Sequence, residues 1–513
     1  MRAAARLPAL LALAAAACAP RVRPAPAPSP TSAPRDDRAA FVALADSLLA
    51  DPRWDNAHWG VLVVDPASGD TLVSRNAGKL FLPASNQKLL TGAGALALLG
   101  ADFRWRTALV ADRGALGADG TLRGDLRVVG RGDPTVSDRA AGDAMAPLRA
   151  LADSLRARGV RRVAGRVVAA GEAFPGDALG YGWAYDDLDE PYSAGVSELL
   201  FNEGLARVTV VGGARPGDAA RARVAPAPSA LPVGASGVAT GTPGVVGGAT
   251  ATRVRARWDA RAARYALEGV VSAGDSAVLE LAIRDPRAAY VAALTDALRA
   301  RGVAVDGRAP AAAAPNTAAG PDDTLAVRLS PTLAEALPWM EKPSQNQAAE
   351  AIFRTLGLER TGVGSPDSAR AALGRQLLAW GVRPEQDVAV RDGSGLSRHD
   401  YVSPRALVRV LDAARRRPDF RALYDALPVA GVDGTLRNRM RGTPAAGNVR
   451  AKTGTIDKAR SLSGYVTTAD GRLLVFSLLC NNYTAPTREV ERVQDALLAR
   501  LAASRLASRL AAR

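Results

Sequence analysis

The sequence predicts a mixed α/β (α+β) fold, a helix–sheet–helix domain interrupted by a β-rich insertion, and three observations carry that reading. Helical and strand periodicities alternate near the start of the chain. The same alternation returns after residue 325. Between about 105 and 320 the pattern changes to short β-prone runs separated by Gly, Ala and Pro-rich segments. At roughly 150 residues per domain, 513 residues leave room for two or three domains. The expected division is a domain built from residues 37–105 and 323–513, with residues 106–322 inserted as one or two modules.

The chain opens with Arg2 and Arg6 followed by an apolar run over residues 7–17. This is the pattern of a secretory signal, too short to span a bilayer. It ends Ala15-Ala16-Ala17-Cys18, which resembles a bacterial lipoprotein box except that Ala15 stands where leucine is usual. Lipid attachment at Cys18 and plain signal cleavage both stay open. Residues 18–36 are rich in Pro, Ala and Ser and suit a semi-rigid linker. The expectation is an exported protein of the periplasm or cell envelope, tethered to the membrane if Cys18 is lipidated.

Phe41, Leu44, Ala45, Leu48 and Leu49 share one helical face. Gly60-Val61-Leu62-Val63-Val64 and Thr71-Leu72-Val73-Ser74 read as strands, joined by the turn Asp65-Pro66-Ala67-Ser68-Gly69-Asp70. An apolar helix opens at Ser85 and carries Leu89, Leu90, Leu96, Leu98 and Leu99. In the middle region Leu126-Arg127-Val128-Val129 and Val208-Thr209-Val210-Val211 read as strands, and residues 308–322 as a linker. Arg131-Gly132-Asp133 lies within Gly130–Pro134 and reads as a turn, not as an adhesion motif. Helical periodicity restarts with Leu333, Ala336, Leu337 and Met340, and recurs over 348–356 and 404–415. Strands 461–468 and 473–480 form a hairpin turning at Asp470-Gly471, and an amphipathic helix runs from 486 to about 510.

Composition excludes several function classes. The net charge is +15, and 61 of the 66 basic residues are arginine. They are scattered among alanines without interleaved aromatics, so no nucleic-acid groove is indicated. The two cysteines, Cys18 and Cys480, give no disulfide framework, and Cys480 ends an apolar run that reads as a buried strand. The only histidines are His58 and His399, which argues against a Cys/His zinc site. A Ser-His-Asp triad would have to use one of them, and neither has motif support.

The candidate chemistry lies in three short motifs. Ser85 and Lys88 are three apart on a helix, so the Lys88 amine can reach the Ser85 hydroxyl. This pairing activates a serine without histidine. By itself it is weak, since roughly one chain in four of this composition would hold such a pair by chance. Two more motifs follow in order: Ser344-Gln345-Asn346 just before a helix, and Lys452-Thr453-Gly454-Thr455 in an extended run. Two of only five lysines occupy the two lysine positions. To accept a proton Lys88 must be neutral, about three units below an ordinary pKa of about 10.4. Desolvation and the charge of Lys452 both push it that way. In this scheme Ser344 relays a proton from Lys88, and Asn346 bonds both Lys88 and a substrate amide. Lys452 and Thr453 suit a terminal carboxylate, and Gly454 leaves room for a substrate strand. The N–H groups of Ser85 and Thr455 would form an oxyanion hole, worth about 3 kcal/mol per donor.

The order Ser-x-x-Lys, Ser-x-Asn, Lys-Thr-Gly resembles that of penicillin-recognising serine acyl-transfer enzymes. Ser85 and Ser344 lie 344 − 85 = 259 residues apart, a gap that resembles the class C low-molecular-mass penicillin-binding proteins, the D-alanyl-D-alanine carboxypeptidase/endopeptidase family. Gly182-Trp183 with Asp186-Asp187, Asp392-Gly393-Ser394-Gly395-Leu396-Ser397 and the run from Leu427 to Leu436 look like the same family. Gln345 departs from it, since the family often has aspartate there. The resemblance implies a transpeptidase/β-lactamase-like domain with an antiparallel sheet between helices. It implies hydrolysis of D-Ala-D-Ala, and often of cross-links, in peptidoglycan stem peptides through an acyl-enzyme on Ser85. It also implies inhibition by β-lactams and no need for a metal or cofactor. The competing readings are a β-lactamase-like hydrolase or esterase, and a non-catalytic wall-binding protein of the same fold.

Overall fold

The computed structural model describes residues 36–506, except 228–230, 243–244, 247–248, 251 and 308–321. The signal, Cys18, nearly all of the Pro/Ala-rich segment and most of the second linker therefore lie outside the described residues. Among the described residues no helix is long and apolar enough to cross a membrane.

Five strands form one antiparallel sheet in the order Thr71–Arg75, His58–Val64, Leu473–Asn481, Ala459–Thr467 and Arg450–Ile456. The two ends of the chain meet in its centre, where Val61 pairs with Leu478. Side chains alternate across a strand. Trp59, Val61, Val63, Phe476 and Leu478 therefore pack with the helices Arg38–Leu49 and Thr487–Ala503. Leu62, Val475 and Leu479 pack on the other side, with Gln87–Leu99, Leu333–Glu341, Asn346–Thr361, Pro366–Ala379 and Pro404–Arg415. Helices cover both faces, which is why Leu473–Asn481 is almost continuously apolar rather than alternating. Cys480 is fully buried in this layer.

The middle of the chain has its own core, drawn from residues between Leu109 and Ala326. Its four-stranded sheet has the order Asp322–Thr332, Arg104–Asp112, Leu126–Val129, Val167–Ala170. Arg104 pairs with Thr332, so the chain enters and leaves this region on adjacent strands. The region is not strands alone. The helices Ala146–Ala157 and Pro286–Ala300 pack against each other in its core. Asp133 of the Arg-Gly-Asp triplet is buried and ion-paired with Arg328, so it is not displayed.

The last helix ends at Ala503, earlier than periodicity suggests. Backbone bonding ends it. The Ala469 N–H donates to the Ser504 carbonyl, and the Arg505 N–H donates to Asp37.

Candidate active site

A short 3-10 turn, Ala84–Asn86, leads into the helix Gln87–Leu99. Three bonds clamp it to the sheet. Asn86 Nδ2 donates to the Lys452 carbonyl at 2.8 Å. Ser461 Oγ donates to the Pro83 carbonyl at 2.6 Å, and the Leu82 N–H donates to Asn481 Oδ1 at 2.8 Å. Ser85 is not spent on capping the helix. Its Oγ lies 2.9 Å from Lys88 Nζ.

Lys88 is fully buried, and its amine touches three oxygens: Ser85 Oγ, Asn346 Oδ1 at 2.7 Å and the Ser394 carbonyl at 2.8 Å. Burial, reinforced by the charge of Lys452, pushes its pKa down to about 7 against the pull of Asp392, Glu341 and Glu350. Near neutral pH a large fraction of this amine is uncharged. Asp392 organises the loop that offers the Ser394 carbonyl, accepting from the N–H groups of Ser394, Gly395 and Ser397. Trp183 Nε1 donates to the same carboxylate at 2.9 Å.

Gln345 begins the helix Asn346–Thr361 by accepting the Ala348 N–H, so glutamine takes the cap here and Ser344 does not. Ser344 has φ 64, a left-handed backbone that non-glycine residues adopt at a cost, and Ala84, before Ser85, has φ 46. The Ser344 hydroxyl accepts from Lys452 Nζ at 2.8 Å, not from Lys88. The relay expected between Lys88 and Ser344 is therefore not a direct bond in this arrangement. Asn346 Nδ2 donates to the Tyr192 carbonyl at 2.9 Å, committing one of its protons to the protein.

Lys452 is fully buried and its ammonium turns towards Ser344 and the Thr453 carbonyl. Burial lowers its pKa, and Glu341 opposes the shift. It lies behind the cleft, so a ligand carboxylate would meet hydroxyls first. Thr453 Oγ1 donates to Thr435 Oγ1 at 2.7 Å, and both line the opening. Gly454 also makes room within the protein itself. A Cβ there would fall 2.5 Å from the Pro83 carbonyl oxygen and 2.0 Å from Ser461 Oγ. The missing side chain admits the Ser85 turn.

These groups open into a cleft of about 580 Å³ lined by Ser85, Ser344, Asn346, Thr435, Thr453 and Thr455. Its mouth adds Asp186, Asp187, Tyr192, Arg398 and Arg460, to which residue-type reasoning gave no role. Only Asp186 and Asp187 belong to a family-like stretch, and nothing local marks Tyr192, Arg398 or Arg460. The Lys452 strand is the outer strand of the sheet, so its edge faces this opening. The histidines stand apart: His58 stacks on Phe81 and His399 packs against Tyr181.

The model of the D-Ala-D-Ala carboxypeptidase 3 (S13) family matches residues 42–504. A D-alanyl-D-alanine carboxypeptidase of Actinomadura is 36% identical over 475 residues, covering 89% of this chain and 83% of that protein. The D-alanyl-D-alanine carboxypeptidase DacB of Haemophilus influenzae is 25% identical over 434 residues, covering 84% of this chain and 86% of that one. The crystal structure of penicillin binding protein 4 (dacB) from Haemophilus influenzae superposes with a TM-score of 0.74 at 25% identity, covering 88% of this chain and 98% of that one.

Proposed function

The chain belongs to the D-Ala-D-Ala carboxypeptidase 3 (S13) family, and from that premise we propose that Ser85 is its acylated nucleophile and Lys88 the base. The activity is that of a serine D-Ala-D-Ala carboxypeptidase. One observation carries the assignment of roles: the three contacts of Lys88 Nζ. Asn346 Oδ1 and the Ser394 carbonyl can only accept. A neutral amine has two N–H groups and one lone pair. Donating both N–H groups to these oxygens leaves the lone pair facing the Ser85 hydroxyl, so the base is oriented by its acceptors.

Ser85 Oγ attacks the carbonyl of the penultimate D-alanine and its proton passes to Lys88. The oxyanion forms against the N–H groups of Ser85 and Thr455. Ser85 N lies 3.0 Å from the point where a Gly454 Cβ would stand, which supports the closeness of those two backbones. The departing amine takes a proton through Ser344, which Lys452 supplies at 2.8 Å. Lys88 then gives up the Ser85 proton to solvent and Lys452 regains one, so that water attacks the ester with neutral Lys88 again as base and Ser85 Oγ is reprotonated as it leaves. The substrate carboxylate sits at the Thr453 and Thr435 hydroxyls, with the positive charge of Lys452 behind them. A β-lactam acylates Ser85 by the same steps and stays longer. The site belongs to a domain of residues 37–105 and 323–513, into which 106–322 is inserted. The basic, apolar start of the chain sends this domain to the cell envelope, where peptidoglycan stem peptides are met.

The test is D-alanine release from a pentapeptide ending in D-Ala-D-Ala. Wild-type protein releases it and is labelled by a fluorescent penicillin. Ser85→Ala does neither while keeping its melting temperature. Release by Ser85→Ala at the wild-type rate would overturn the assignment.

A further inference from the structure

Glu341 ends the helix Leu333–Glu341, three residues before Ser344. It is fully buried, and neither carboxyl oxygen meets a hydrogen-bond donor among the described residues. Buried carboxylates that serve structure are normally satisfied. This one is not. Gly92 fixes its place, since a Cβ on Gly92 would stand 3.0 Å from Glu341 Oε1. Gly92 lies one turn beyond Lys88 on the same face of the Ser85 helix. The Glu341 carboxyl is therefore lodged in the interior beneath the amine that faces Ser85.

The charges that act on it come from two other elements, Lys88 on the Ser85 helix and Lys452 on the edge strand. Glu350 and Asp392 also act on Lys88. Charges elsewhere on the packed elements are engaged: Asp425 with Arg450, Arg421 over Tyr424, Arg328 with Asp133, Arg139 with Glu203 and Lys342 with Asp433. Glu341 thus has no partner but the field of the two site lysines.

We infer that Glu341 is a positioning residue whose carboxyl sets how many protons Lys88 and Lys452 hold between them. The reaction needs a neutral Lys88 beside a charged Lys452, a distribution that one extra negative charge beneath the pair keeps from collapsing to two neutral amines. Burial pushes the Glu341 carboxyl up while both lysines pull it down, so the three groups exchange charge near neutral pH. The inference rests on Lys88 being the base.

The test is the acylation rate with a fluorescent penicillin across about pH 5 to 10 for wild type, Glu341→Gln and Glu341→Asp. Loss of the negative charge lowers the proton affinity of both lysines. In Glu341→Gln the acid limb, where Lys88 becomes neutral, and the alkaline limb, where Lys452 loses its proton, both move down by about one pH unit. Glu341→Asp keeps the charge and returns both limbs towards wild type. The inference is overturned if the limbs of Glu341→Gln stay in place, whatever its rate, or if Glu341→Asp moves them as far. A Glu341→Gln variant that does not fold also overturns it, because the amide copies the protonated carboxyl and its failure would mark a structural ion pair. If the wild-type protein takes up no label, the Ser85 assignment fails first and this inference falls with it.

Discussion

The middle region and the site around Ser85 both bury charges, but they treat them in opposite ways. In the middle region each buried charge meets an opposite one. Arg127 lies 2.8 Å from Asp112, Glu198 2.8 Å from Arg287 and Glu203 2.8 Å from Arg139. Around Ser85 the charges are kept apart. Lys88, Lys452, Glu341 and Glu350 are all buried, and none has an ion pair within 4.0 Å among the described residues. A paired charge is pulled back towards its ordinary state, as Arg287 and Arg139 oppose the burial that raises Glu198 and Glu203. A lone one keeps a pKa displaced towards neutrality, and such displacement concentrates where proton transfer is needed. Under the proposed mechanism, the contrast separates charges that hold the fold from charges that do the chemistry.

Replacing charges on either side should break the contrast most visibly. Lys88→Gln should lower the acylation rate by about 10²–10⁴-fold without loss of thermal stability, because it removes a buried amine that has no carboxylate partner. Penicillin labelling and a melting curve on the same sample check both halves. Arg287→Ala should do the reverse. It strands Glu198 without its partner, costs roughly 3–5 kcal/mol in denaturant titration, and leaves acylation per folded molecule unchanged. A loss of acylation out of proportion to unfolding would blur the division.

Gly454→Ala touches both sides at once. Its Cβ meets the Pro83 carbonyl and Ser461 Oγ, so stability should fall by about 1–3 kcal/mol, and acylation should fall further as the Ser85 turn shifts. The pH dependence sharpens the account of Lys88. Its pKa is lowered to about 7, and only the neutral amine accepts the serine proton. Below that pH the acylation rate should drop about tenfold per unit, and above it the rate should rise no further and then fall as Lys452 loses its proton. The smallest effect belongs to an exposed pair: Arg162→Ala, which frees Asp306 at the surface, should leave both the melting temperature and labelling unchanged.

Local chemistry was legible in the sequence where neighbours along the chain become neighbours in space. Ser85 and Lys88 meet because a helix sets positions three apart side by side. The C-terminal hairpin was readable because an apolar run, an Asp-Gly turn and a second apolar run follow directly. The fold class followed from such elements at both ends of the chain. Contacts made across the fold were not legible. The Ser394 carbonyl is a backbone atom, so no residue type announces that it orients Lys88. Spacing cannot say which of two lysines a distant hydroxyl meets, and Ser344 meets Lys452. Gly454 read only as space for a substrate, because the turn it also admits lies some 370 residues away in the chain. The alanine-rich helix Pro286–Ala300 carries little periodic contrast, so strand-like runs dominated the reading of the middle region.

The central claim is that an unpaired, buried lysine makes Ser85 the reacting atom. Mass spectrometry of the protein after brief exposure to a penicillin tests it most directly. The account predicts one adduct per chain, on the peptide containing Ser85, forming faster as pH rises through about 7 and absent in Ser85→Ala. An adduct on another residue, or one that persists in Ser85→Ala, would contradict it.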